Sequence, residues 1–181
     1  MRRHRRPGHD YGEAFLYDLR FDDDGRPRAD FPTNQPAYHD AKILVTDQDF
    51  GCGSSREGAA FAVMDFGLQA LIGVSFGEIF QGNCIQNGVV AVTLPEMAIH
   101  DLWRQLREKP GAEITIDLPN QQVIAPDGNV HGFDISPLRK DRLVRGIDDI
   151  DVTLKYGAEI EAFEAKRRAT LPWLPTAQRQ A

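Results

Sequence analysis

Residues 50–58 read Phe50-Gly51-Cys52-Gly53-Ser54-Ser55-Arg56-Glu57-Gly58, which places two hydroxyls, a thiol and a guanidinium inside one glycine turn. Backbone N–H groups at a helix start favour an anion. Arg56 adds a planar fork that suits a carboxylate or a phosphate. A serine in such a turn can lose its proton where donors stabilise the alkoxide. The combination predicts a site for an acidic small molecule. Two plainer readings compete with it. Ser54 or Ser55 could be an ordinary helix N-cap. A nucleotide loop is the other rival, but the spacing is G-x-G-x-x-x-x-G and no G-K-[ST] follows. The next apolar run, Ala70 to Val74, ends at Ser75 and not at the acid a dinucleotide fold wants.

The turn must be carried by a strand and a helix. Ile43-Leu44-Val45 predicts a strand over 41–46, and the small residues from Ala59 to Met64 predict a helix over 57–66 that stops at Gly67. A strand over 69–74 follows. Ser75 and Glu78 are spaced as a capping box for a short helix with Phe76, Ile79, Phe80 and Cys84 on its apolar face, closed by Gly88. A buried strand over 89–94 leads to a helix over 96–108 with a core stripe of Ile99, Leu102, Trp103 and Leu106. From Ile114 the period changes to two. Pro119-Asn120 and Pro126-Asp127-Gly128-Asn129 mark turns, so a small meander is expected up to Ile135. A helix near 137–145, a strand near 149–154 and a polar helix over 157–168 complete the pattern. This is a layered α/β domain.

Composition narrows the function. A chain of 181 residues with 41% apolar content suits a folded domain, and a net charge of −6 argues against general nucleic-acid affinity. No apolar run approaches the ~20 residues a membrane span needs. Cys52 and Cys84 are the only cysteines, too few to hold an iron–sulfur cluster and consistent with a reducing cytoplasm. Cys52 reads as a small packing residue. Asn83 and Asn87, four apart, read as groups that satisfy backbone near the loop. His39, His100 and His131 have no ligand spacing and read as surface or turn residues.

At Gly51–Glu57 the chain resembles the active-site loop of the aconitase superfamily's swivelling domain, and in particular the family of 3-isopropylmalate dehydratase small subunits. Asp18-Leu19-Arg20-Phe21, the Asp30 to Tyr38 segment, Ser75-Phe76-Gly77-Glu78-Ile79-Phe80, Asn83-Cys84, Asn87-Gly88 and Gly146 to Leu154 extend the resemblance. It runs from about Tyr11 to Lys166. It implies a layered β/β/α swivelling domain over 11–168, flanked by a basic tail at 1–10 and a loose tail at 169–181. It also implies a hydro-lyase of leucine biosynthesis that moves a hydroxyl between adjacent carbons of 2-isopropylmalate. That chemistry needs a base, cations for two carboxylates and a Lewis acid on the leaving hydroxyl. By resemblance Ser54 is the base and Arg56 the carboxylate clamp. Ser55 supports substrate binding, and Gly51, Cys52 and Gly53 shape the loop. The Lewis acid would be a 4Fe-4S cluster on a separate large subunit, with no cofactor on this chain.

Two departures stand out. The family has histidine where this chain has Gly58, and its opening strand has no counterpart here. Arg6 is the nearest candidate for a further carboxylate contact, although an ungapped match does not place it there. The expectation is therefore that Met1 is not the natural start. Two alternatives remain open: a sister dehydratase for another branched or methylated malate, and an inactive paralogue that only binds a large subunit.

Overall fold

The computed structural model describes residues 10–146 and 149–173. The chain forms two compact units that divide after Gly146. In the first, the approach from Asp10 contains one helical turn, α1 (Tyr17–Arg20), and two 3₁₀ turns. The centre is a parallel sheet in the order β1 (Ile43–Val45), β2 (Ala70–Gly73), β3 (Val90–Thr93), with Ile43 opposite Ala70 and Ala70 opposite Val90. Between the strands run α2 (Gly58–Asp65) and α3 (Glu78–Gln86), and α4 (Glu96–Glu108) follows β3. A second sheet is the antiparallel meander β4 (Thr115–Asp117), β5 (Gln122–Ile124), β6 (Val130–Gly132). The unit ends on α5 (Pro137–Arg145), whose N-cap Ser136 accepts from the Arg139 amide.

The strands are apolar on both faces because both faces are covered. Leu71 of β2 packs with Ala60, Val63, Phe80 and Cys84 from α2 and α3. Its neighbour Ile72 points the other way, into a cluster with Ile99 and Leu102 of α4 and Val123 of the meander. A layer of helices, a parallel sheet, and α4 with a second sheet are the layers expected. Helix α4 occupies 96–108 as expected, with Ile99 and Leu102 fully buried and Trp103 and Leu106 half-buried. Each core leucine of this kind is worth about 2–5 kcal/mol against truncation to alanine.

Three expectations fail. The capping box at the start of α3 does not form: Gly77 is the N-cap without a side-chain bond, and Ser75 turns to Asp49 instead. Ile79, expected on the apolar face, is 58% exposed, since the helix leans on Phe80, Cys84 and Ile85. In the second unit, 149–154 is not a strand but α6 (Asp149–Leu154), followed by α7 (Gly157–Thr170). The alternation from Asp149 to Leu154 mimics a strand. A lone strand leaves its backbone unpaired, whereas a helix satisfies it within the segment.

Candidate active site

The loop between β1 and α2 sits at the carboxyl ends of the parallel strands, where open α/β sheets place ligands. Two such ends are joined there. Phe50 and Phe76 form a parallel bridge: the Phe50 amide donates to Ser75 O at 3.2 Å and the Gly77 amide to Phe50 O at 3.0 Å. Asp49 enters the loop in the left-handed region at φ +56°, which Asp tolerates better than most residues. Its amide donates to Ser75 Oγ at 2.7 Å, and that hydroxyl donates back to Asp49 Oδ1 at 3.0 Å. Gly51 follows at φ +82°, and a Cβ there would lie 2.3 Å from the Phe80 ring. Only glycine fits this conformation above that floor. Gly77 has a Cβ direction 3.0 Å from the Cys52 backbone, so the second strand end also approaches the loop closely.

From Gly51 onward the loop folds on itself. The Ser54 amide donates to Gly51 O at 3.2 Å, and the Arg56 amide donates to Ser54 Oγ at 3.3 Å. Helix α2 starts with Ala59 and Ala60 amides bonded to Arg56 and Glu57 carbonyls. The amides of Gly53, Ser55, Glu57 and Gly58 donate to no protein acceptor among the described residues. Ser54 is half-buried, and Ser55, Arg56 and Glu57 are exposed. Arg56 has no carboxylate partner among the described residues. The carboxylate beside it is engaged elsewhere: Asn87 Nδ2 donates to Glu57 Oε1 at 2.9 Å and to Asn83 O at 2.9 Å. An oxygen with an amide on it, a free guanidinium and unpaired N–H groups can together hold an anion and support an alkoxide.

The loop thus brings Ser54, Ser55 and Arg56 together. Arg6 lies outside the described residues. Cys52 is exposed, not packed; its backbone closes the turn through an amide bond to Asp49 O at 3.1 Å. Gly53 faces open space. Cys84 is the buried thiol, and desolvation pushes it up to about 12. Among the described residues no three His, Cys, Asp or Glu side chains converge as metal ligands. His39 and His100 are exposed, the latter stacked on Trp103, while His131 is half-buried in β6. Sequence reasoning missed the Glu57–Asn87 and Asp49–Ser75 pairs, which join residues 30 and 26 positions apart. A cleft of about 1030 Å³ opens elsewhere, along β1 between Tyr38, Phe66 and Trp103, and none of the loop residues lines it.

The family model for the aconitase C-terminal domain matches residues 11–97. One described as LeuD_N matches 100–137, and the model for the C-terminal domain of the 3-isopropylmalate dehydratase small subunit matches 149–177. A 3-isopropylmalate dehydratase small subunit from Parvibaculum lavamentivorans is 44% identical over 163 residues, covering 90% of this chain and 81% of the relative. One from Dechloromonas aromatica is 46% identical over 154 residues, covering 84% and 73%. The solved structure of a 3-isopropylmalate dehydratase from Methanocaldococcus jannaschii matches with a TM-score of 0.50 at 23% identity, covering 77% of this chain and 84% of that one. This last likeness supports the fold.

Proposed function

Since the chain belongs to the family of 3-isopropylmalate dehydratase small subunits, we infer that it is the small subunit of a hydro-lyase of leucine biosynthesis that interconverts 2- and 3-isopropylmalate. The observation that carries the reading is the loop itself: Arg56, without a carboxylate partner among the described residues, beside a serine whose Oγ already accepts an amide. In the proposed chemistry Arg56 grips a substrate carboxylate through both guanidinium arms. Ser54, as an alkoxide held by the Arg56 amide, takes the proton and returns it during rehydration. The open amides of Ser55, Glu57 and Gly58 are available to the anionic substrate.

Ser55, Arg56 and Glu57 are exposed, so the proposed chemistry needs water to be excluded by another surface. That favours a large partner subunit that closes over it. The iron–sulfur cluster belongs to that reading as the partner's group, where it supplies a Lewis acid. This chain's two cysteines, one exposed and one buried with a raised pKa, do not fit it. A cytoplasmic setting goes with a biosynthetic assembly of this type. Among the described residues no helix is long and apolar enough to cross a membrane. The test is coexpression of the chain with the large-subunit gene and assay of 2-isopropylmalate against methyl-substituted malates. Preferred turnover of 2-isopropylmalate is expected. Preference for a methylmalate would assign the sister reaction, and assembly without turnover would assign a binding-only paralogue.

A further inference from the structure

Arg56 can clamp a substrate carboxylate only if no carboxylate of its own loop takes the guanidinium first. Glu57 is the immediate competitor: it is adjacent in sequence, exposed, and not yet inside the α2 helix. Its side chain is turned toward the end of α3, where Asn87 Nδ2 donates to Glu57 Oε1 at 2.9 Å. The same amide nitrogen donates to Asn83 O one turn earlier, also at 2.9 Å. Both partners are pure acceptors, so only the NH₂ group of Asn87 can face them. The bond to α3's own backbone fixes the amide, and the second proton is left for Glu57. Arg56 correspondingly has no carboxylate partner among the described residues.

We propose that Asn87 is a positioning residue for substrate binding: it holds Glu57 away from Arg56 and so keeps the guanidinium open to the substrate carboxylate. The proposal rests on the role given to Arg56 above and deepens it. Loss of the Asn87 amide frees Glu57 to pair with Arg56, so substrate must displace an internal carboxylate. Asn87→Ala in the assembled enzyme should raise KM about two- to fivefold, the worth of an exposed carboxylate–guanidinium pair, with kcat little changed. Adding Glu57→Gln to Asn87→Ala removes the competing charge and should return KM to the wild-type value. A purely structural role for Asn87 would leave the double variant as impaired as the single one, and that result overturns the proposal. Asn87→Ser keeps a polar helix end and serves as the second variant where alanine unfolds α3.

A second readout does not depend on turnover. Phenylglyoxal labelling of Arg56 in the full chain, followed by mass spectrometry, should slow in Asn87→Ala and recover in Asn87→Ala/Glu57→Gln. Equal labelling in all three forms overturns the proposal. If the wild-type assembly does not turn over 2-isopropylmalate at all, the functional reading fails while the labelling still decides the fate of the Glu57 carboxylate.

Discussion

Two sets of turns in this molecule handle their backbone amides in opposite ways. In the meander the turns consume their own donors. Asp117 accepts the Asn120 amide at 2.9 Å and the Asn120 side chain at 2.7 Å. Asp127 likewise accepts the Asn129 amide and side chain, at 2.9 and 2.8 Å. The segment 51–58 has no side-chain acceptor of that kind beyond Ser54 Oγ, and it leaves four amides at 53, 55, 57 and 58 without a protein partner among the described residues. Both kinds of turn contain glycine at positive φ, Gly128 at +88° and Gly51 at +82°. Glycine content therefore does not separate them. The destination of the donors does: a turn that saturates itself holds strands together, and a turn that withholds its donors can hold a ligand.

The largest effect expected from that contrast is at Ser54. Ser54→Ala in the assembled enzyme should lower kcat by roughly 10²–10⁴, the usual worth of a positioned base, while assembly survives. Steady-state turnover beside size-exclusion chromatography checks both halves, and near-normal turnover would remove Ser54 from the role of base. Arg56→Lys should act mainly on KM, raising it roughly tenfold or more because a charge-assisted bidentate contact is lost. A fall confined to kcat would instead place Arg56 on the reacting atoms.

Gly58→His should fold normally, since a Cβ at Gly58 meets only the Tyr11 ring at 3.6 Å and the backbone there needs no positive φ. Turnover is expected to stay level or rise, and thermal denaturation separates this from misfolding. Asp117→Ala should give the smallest effect: a lower Tm with unchanged kcat and KM. The carboxyl of Asp117 is held below its ordinary pKa, first by the Asn120 side chain and then by the Asn120 amide. Its contribution is therefore complete above the unfolded carboxylate pKa and is lost as pH falls through the lower native value. Wild type and Asp117→Ala should converge in Tm in acid. A constant difference down to strong acid would mean that the turn owes nothing to the charge.

Sequence reading succeeded where a single element carries its own signal. The stripe of Ile99 and Leu102 marked α4, the switch to period two marked the meander, and Gly88 at φ +82° closed α3 as a C′ glycine should. The strand–turn–helix that carries Ser54, Ser55 and Arg56 was legible as well, because its signals are contiguous in the chain. Reading failed where the answer depended on distant chain. Ser75 has the spacing of a capping residue but binds Asp49 across the sheet end. Asn87 pairs with Glu57 from the far end of another helix. The alternation at 149–154 suggested a strand, but a strand's existence rests on a partner that local pattern does not reveal.

The central claim is that the loop's open amides face the substrate while the meander's do not. Amide hydrogen exchange on the assembled enzyme, with and without saturating 2-isopropylmalate, tests it most directly. The account predicts slowed exchange at Ser55, Glu57 and Gly58 on substrate addition and no change at Asn120 or Asn129. Unchanged exchange across 53–58 under saturating substrate would contradict it.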